Sequence, residues 1–375
     1  MFDLKKIPSP LEMSKNFVKY NWLQLLYRQP FPPRAMCFYV TYRCNMRCRM
    51  CGIWKHKSNH GLNELTLREL DKIFSNSLFS KIEHLDINGG EPSLRKDLFE
   101  IIEIAKEKMP HLKHITMSSN GLFTTRVTSV VKKISEICRK NKMRFSIVIS
   151  LHGVKDVFEK VCGVKDAFSS VTTTIKILKS IQAENNNSLS INCVLTDINL
   201  IDVYKLENWC QEECLPISFV LGEVRARFLN FDTIPTTLIA KEKKDFLIRF
   251  IRKLSQNKRI FNPSAFRYYN LANLLEFSEE RTISCHYAIG GNILGPTGEL
   301  YYCPHSKAIG NCRNNSAYDI YYDKKNLEYR SQELQKKECK KCPPYTFNKI
   351  ELEKDILRYL KFLVQKQQYN SGELI

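Results

Sequence analysis

The chain has 375 residues, 43% of them hydrophobic and 26% charged, values that exclude wholesale disorder and collagen-like order. Its formal charge of +19 suits an acidic partner such as phosphate, nucleic acid or an anionic membrane. The excess is dispersed over helix faces, among them Arg126, Lys132, Lys133, Arg139 and Lys140 and then Lys241, Lys243, Lys244 and Arg249, so nucleic acid is not expected as the partner.

Before residue 36, residues 9–28 read as one helix with Leu11, Phe17, Leu23, Leu25 and Leu26 on its apolar side, expected to pack on the domain that follows. No run approaches the roughly eighteen apolar residues of a membrane span, and MFDLKKIPSPLEM lacks the form of a secretory signal. The expected address is the cytoplasm. From 36 to about 222, apolar or β-branched runs alternate with stretches of helical period, the βαβα signature of a mostly parallel sheet. Six strands are predicted, at 37–42, 82–88, 114–119, 145–151, 189–195 and 217–221. Thr66 and Glu69 form a capping-box pattern ahead of Leu67, Leu70, Ile73 and Phe74; Leu98, Ile101, Ile102 and Ala105 mark the next helix, and Val127, Val130, Val131, Ile134 and Cys138 another.

Six βα units in this length predict an α/β fold with a partial (β/α)6 barrel, since a closed eight-stranded barrel needs about 250 residues. A basic helix follows at about 238–256, then a second cysteine-bearing region, then a last helix at about 348–368. The expected division is 1–35 as an N-terminal helix packing on the barrel, 36–225 as the barrel and 226–280 as a helical linker. A small C-terminal cysteine-rich domain follows at 281–346, and 347–375 is the closing helix and tail.

Fourteen cysteines in a cytosolic protein point to metal binding, catalysis or burial in preference to disulfides. Directly after the first strand stand Cys44, Cys48 and Cys51, three thiols on one loop. A 4Fe-4S cluster takes four thiolates, so three leave one iron open to a substrate or cofactor. A zinc site completed by His56 or His60 fits the same spacing. The second strand ends in Asn88, Gly89, Gly90 and Glu91, where paired glycines admit close backbone approach and Glu91 adds an anion at the barrel mouth. The third ends in Ser118, Ser119, Asn120 and Gly121, the fourth in Ser150, Leu151, His152 and Gly153. Each alone is ordinary turn chemistry; four after successive strands are harder to assign to turns.

Over about residues 36–225 the sequence resembles the radical S-adenosylmethionine superfamily, Cys44, Cys48 and Cys51 matching its cluster motif. The resemblance implies that these three hold a 4Fe-4S cluster whose open iron is chelated by the amine and carboxylate of S-adenosylmethionine. It also implies that Gly89, Gly90 and Glu91 hold the amine, and that Asn120 and Ser150 line the ribose or carboxylate. Two positions depart from the pattern. Met50 stands before the third cysteine where an aromatic residue is frequent, and Cys162-Gly163 stands where Arg-Gly is expected, which leaves Arg225 or Arg227 as substitutes for neutralising the carboxylate.

The tail carries Cys285, Cys303, Cys339 and Cys342, with Gly295-Pro296-Thr297-Gly298 reading as a turn between two short strands. Four thiols fit either a structural zinc site or an iron–sulfur cluster. Beside the barrel they resemble the single-cluster twitch form of the SPASM extension, which implies one auxiliary 4Fe-4S cluster. His286 and His305 are candidate neighbours of that cluster. Cys312 is left over, and Cys37, Cys193, Cys210 and Cys214 read as ordinary buried thiols.

The resemblance implies reductive cleavage of S-adenosylmethionine, an external electron donor such as flavodoxin or ferredoxin, and hydrogen abstraction from a substrate. A small polar substrate, such as a sugar, aminocyclitol or nucleotide-linked sugar, ranks first, with Arg225, Arg227 and Arg267 available to a phosphate. A ribosomal peptide ranks second. The rival from another class is a zinc-stabilised basic RNA-binding protein without catalysis.

Overall fold

Six parallel strands form in chain order, each at the side of its predecessor: β1 (Ala35–Tyr39), β2 (His84–Asn88), β3 (His114–Ser119), β4 (Arg144–Ser150), β5 (Ser188–Leu195) and β6 (Ile217–Leu221). The computed structural model describes residues 10–23, 29–56, 63–185, 187–234, 238–256, 262–277, 280–346 and 349–371. Helices fill the crossovers, at Leu67–Phe74, Leu98–Lys108, Thr124–Lys140, Asp156–Cys162 with Ala167–Asn185, and Val203–Glu212. The expected capping box is present: the Thr66 side chain accepts from the Glu69 amide, and the Glu69 carboxylate accepts from the Thr66 amide.

Strand alternation decides the two faces of this partial barrel. One face carries Phe38, Leu85, Ile87, Ile115, Met117, Ile147, Ile149, Ile191 and Phe219, all buried, with Phe38 meeting Phe74 edge to face at 5.7 Å. The opposite face is polar along nearly every strand. The register pairs Asp86 with Thr116, Thr116 with Ser146, Val148 with Ser190, Ser150 with Asn192 and Asn192 with Ser218, all half-buried. Closed barrels fill this face with branched aliphatic side chains. Here hydroxyl and amide groups take their place.

The sheet continues beyond β1. β7 (Gly291–Leu294) lies next to β1, and β8 (Glu299–Tyr301) and β9 (Gly310–Asn311) follow antiparallel, the expected 295–298 turn joining β7 to β8. The Cα-compact units reflect this: Pro32–Lys241 goes with Asn292–Asp323. The other unit is built from the described parts of Met1–Phe31, Glu242–Gly291 and Lys324–Ile375. The expected single domain at 281–346 is therefore divided, because backbone pairing at the β1 edge binds 292–323 into the barrel sheet.

In the other unit, Ala265, Phe266, Ile283, Leu352, Tyr359 and Phe362 form one core. The expected closing helix is broken into Lys349–Lys354 and Ile356–Ser371. The N-terminal helix Pro10–Val18 and its extension Lys19–Leu23 belong to this unit and not to the barrel's, Asn21 donating to the Lys354 carbonyl at 3.1 Å. Leu25 and Leu26 lie outside the described residues. Among the described residues no helix is long and apolar enough to cross a membrane.

Candidate active site

The loop after β1 is fastened on three sides. From β2, the Gly90 amide donates to the Thr41 carbonyl at 2.8 Å and the Glu91 amide to the Arg43 carbonyl at 2.7 Å. The approach is so close that a Cβ on Gly89 would lie 2.3 Å from the Thr41 oxygen, and one on Gly90 2.1 Å from that of Arg43. From the helix Asp156–Cys162, the terminal carbonyls of Cys162 and Val161 accept from the amides of Arg47 and Arg49 at 2.9 and 2.8 Å. Gly163 ends that helix at φ +68°. From the segment after β6, Asn230 donates to the Met50 carbonyl at 2.8 Å.

This fastening gathers Cys44, Cys48 and Cys51, none of them in a disulfide. Burial pushes all three thiols up, Cys51 to about 11, and Cys51 and Cys44 push Cys48 further. Three half-buried thiols on one loop, within electrostatic reach of one another and costly to ionise in the bare protein, are a fitting donor set for a soft metal centre that takes them as thiolates. His56, the alternative zinc ligand, stacks on Tyr42 at 4.2 Å, and its Nε2 lies 2.8 Å from the Arg227 carbonyl. His60 lies outside the described residues.

Glu91 is fully enclosed. Its carboxylate accepts from the Ser93 amide at 3.1 Å, the Ser119 hydroxyl at 3.0 Å and the Asn120 amide at 2.7 Å. Burial pushes this carboxyl up and the three bonds oppose the shift. Glu91 thus ties the end of β3 to the end of β2. Asn120 in turn donates to Asn45 Oδ1 at 2.7 Å and lies 3.7 Å from Cys44 Sγ. Ser150 ends β4 on the polar face, in register with Asn192.

Sequence reasoning did not single out the aromatic surroundings of Arg227. Its guanidinium lies 4.5 Å from the centre of the Tyr39 ring and 5.5 Å from that of Tyr301, and it donates to the Tyr39 hydroxyl at 3.1 Å. Arg225 is ion-paired with Glu223, and His305 Nε2 is 3.4 Å from the same carboxylate. Arg267 belongs to the other unit, buried against Tyr268, donating to the Pro344 carbonyl at 3.3 Å.

Of the tail thiols, Cys285, Cys339 and Cys342 share one unit with Arg281, while Cys303 follows β8 in the barrel unit. Arg281 Nη1 lies 3.8 Å from Cys342 Sγ. Burial pushes Cys285 and Cys339 up, and Cys285 adds to the shift of Cys339. Cys285, His286 and Glu351 offer ligand atoms within 4.8 Å of one another. Cys312 is buried and pushed up to about 12. Cys37, Cys193 and Cys210 are buried, but Cys214 is exposed. The helix Val203–Glu212 ends before it, and Cys214 sits at φ +54°.

A loop of three thiols at the mouth of a partial barrel defines a class of protein, and residues 38–210 match the model of the radical SAM superfamily. The barrel is therefore a radical SAM domain, and the chain is an enzyme whose cofactors are S-adenosylmethionine and a 4Fe-4S cluster. It is 26% identical over 235 residues to a probable GTP 3',8-cyclase of Methanocaldococcus jannaschii, covering 60% of this chain and 72% of the relative. It is 25% identical over 286 residues to the GTP 3',8-cyclase of Alkaliphilus metalliredigens, covering 71% and 79%. Among solved structures, anSMEcpe with bound AdoMet and a peptide shares the fold at a TM-score of 0.56 and 16% identity, covering 89% of this chain and 100% of that one. SuiB of Streptococcus suis bound to S-adenosylmethionine gives 0.58 and 17%, covering 92% and 83%. The enzyme assignment sets aside the expectation of a non-catalytic RNA-binding protein.

Proposed function

We propose that Cys44, Cys48 and Cys51 hold the barrel's 4Fe-4S cluster and that the enzyme abstracts hydrogen from a small polar substrate lying against the hydroxyl- and amide-bearing face of the sheet. When bound and reduced by a flavodoxin- or ferredoxin-like donor, the cluster supplies the electron that cleaves S-adenosylmethionine to methionine and a 5'-deoxyadenosyl radical. Gly89 and Gly90 bring the β2 turn against the cluster loop. Gly89, Gly90 and Glu91 would hold the cofactor amine, Glu91 through the backbone of its turn since its carboxylate is enclosed, and Asn120 and Ser150 would line the ribose or carboxylate. Arg225, ion-paired with Glu223, and Arg227, held among aromatic rings, are the candidates for neutralising the carboxylate.

The observation that carries the substrate class is the polar face to which Asp86, Ser118, Ser150, Ser190, Asn192 and Ser218 contribute, Thr116 and Ser146 being paired with His84 and His114 at 2.9 and 2.8 Å. Such a face is expensive to dehydrate unless its groups meet hydrogen-bonding partners, which a sugar, aminocyclitol or nucleotide-linked sugar supplies. The relatives named GTP 3',8-cyclase act on a molecule of this kind by their names. Cys285, Cys303, Cys339 and Cys342 are proposed to hold one auxiliary 4Fe-4S cluster that accepts the second electron of an oxidation. A peptide substrate is the second reading, favoured by the shared fold of anSMEcpe and SuiB, both solved with bound peptides.

The test measures 5'-deoxyadenosine release by the reduced, cluster-loaded enzyme with panels of nucleotides, nucleotide-linked sugars, aminocyclitols and peptides. A polyhydroxylated small molecule should raise release about tenfold over the substrate-free rate, and Asn192→Leu should raise its KM. Stimulation by peptides alone would replace this reading with the second.

A further inference from the structure

The guanidinium of Arg281 is half-buried, yet no carboxylate lies within ion-pairing distance of it among the described residues. Two of its nitrogens are fixed by the chain just ahead: Nε donates to the Ile283 carbonyl at 2.8 Å and Nη2 to the Ser284 carbonyl at 2.7 Å. The backbone is fixed too, the Arg281 amide donating to the Lys340 carbonyl at 2.7 Å. That leaves Nη1 aimed at Cys342 Sγ, 3.8 Å away.

A half-buried guanidinium whose remaining nitrogen meets a cysteine sulfur suits a metal-bound thiolate, which accepts a stronger, charge-assisted hydrogen bond than a thiol, so the donor set and its surroundings agree with an anionic thiolate centre. We infer that Arg281 is a positioning residue of the auxiliary centre that raises its reduction potential by a charged hydrogen bond to the Cys342 sulfur. The inference rests on the auxiliary cluster proposed above. Reduction adds one negative charge to the centre, and a fixed positive charge with a hydrogen bond to a ligand sulfur favours that added charge. Only the electron count of the centre would change on its reduction, and Arg281 would keep its proton throughout.

The test is a redox titration of the anaerobically loaded full chain, followed by electron paramagnetic resonance, for wild type, Arg281→Gln and Arg281→Lys. The barrel cluster serves as internal control. In Arg281→Gln the oxidised-to-reduced ratio of the auxiliary cluster at fixed potential should rise about tenfold, a fall of about 59 mV for a one-electron couple. Arg281→Lys should lie between it and wild type, and the barrel cluster should not move. An auxiliary potential unchanged in Arg281→Gln overturns the inference. If that variant does not load its second cluster, wild type grown with 15N-arginine decides: electron spin echo modulation of the reduced auxiliary cluster should show an arginine nitrogen coupling, and its absence overturns the inference equally. Wild type carrying only the barrel cluster would instead sink the auxiliary-cluster proposal on which this rests, and Arg281 with it.

Discussion

Gly90→Ala probes the joint that sets the cluster loop against the turn after β2. The added Cβ would meet the Arg43 oxygen at 2.1 Å, its carbonyl carbon at 2.6 Å and the Tyr42 oxygen at 2.8 Å, where ordinary contact begins at 3.4 Å. All three are backbone atoms, so no side chain can swing aside, and the loop must retreat by about 1 Å, the scale at which misplacement costs about 100-fold in rate. Retreat stretches the Glu91–Arg43 and Gly90–Thr41 backbone bonds. Overpacking of this kind costs about 1–3 kcal/mol and a weakened hydrogen bond about 1 kcal/mol more, within the 5–15 kcal/mol of a typical domain. The variant should therefore fold, lose about 2–4 kcal/mol in urea unfolding and form 5'-deoxyadenosine about 100-fold more slowly per loaded cluster. Gly310→Ala is the control. Its Cβ would press only on the Ile320 side chain, so stability should fall without loss of rate per cluster. A wild-type rate in Gly90→Ala would refute the claim that this contact sets the cofactor geometry.

Further outcomes follow from the titrating groups and the tail. His152 is buried, its Nδ1 accepts from the Val194 amide, and burial holds its pKa at about 4 against 6.5. The unfolded chain therefore binds the proton first, and stability of about 3 kcal/mol, complete above pH 6.5, should be lost as pH falls through 4; His152→Gln should flatten that slope in urea titrations. In the metal-free protein the raised Cys51 pKa works in the opposite direction: stability complete below pH 9 should decline as pH rises toward 11, and loading with iron and sulfide should abolish that loss. Replacing Cys285, Cys303, Cys339 and Cys342 by alanine should remove one cluster's iron yet leave slow 5'-deoxyadenosine formation with dithionite, a circular dichroism spectrum controlling for loss of fold.

The strands were legible because each places apolar residues at alternate positions, and β3 and β6 match their predicted bounds. The same alternation makes the opposite face polar, but a list of apolar runs does not show that Thr116, Ser146 and Ser188 become neighbours; that depends on register between strands. The cysteine triplet was legible because its ligands are local. Glu91 was legible as a mouth residue, whereas its bonds to Ser119 and Asn120 join separate strands. β7 beside β1 and Arg281 beside Cys342 depend on pairings across 61 residues or far more, which short-range periodicity does not encode. Cys214 misled because helical periodicity runs past the residue where the helix stops.

The central claim is tested most directly by comparing anaerobically purified wild type with the Cys44→Ala, Cys48→Ala, Cys51→Ala triple variant, in metal content and in S-adenosylmethionine cleavage under dithionite. Wild type should hold about eight irons with matching sulfide and form 5'-deoxyadenosine, and the triple variant should hold about four and form none. Stoichiometric zinc in place of iron, or 5'-deoxyadenosine from the triple variant, would contradict the assignment of these three cysteines.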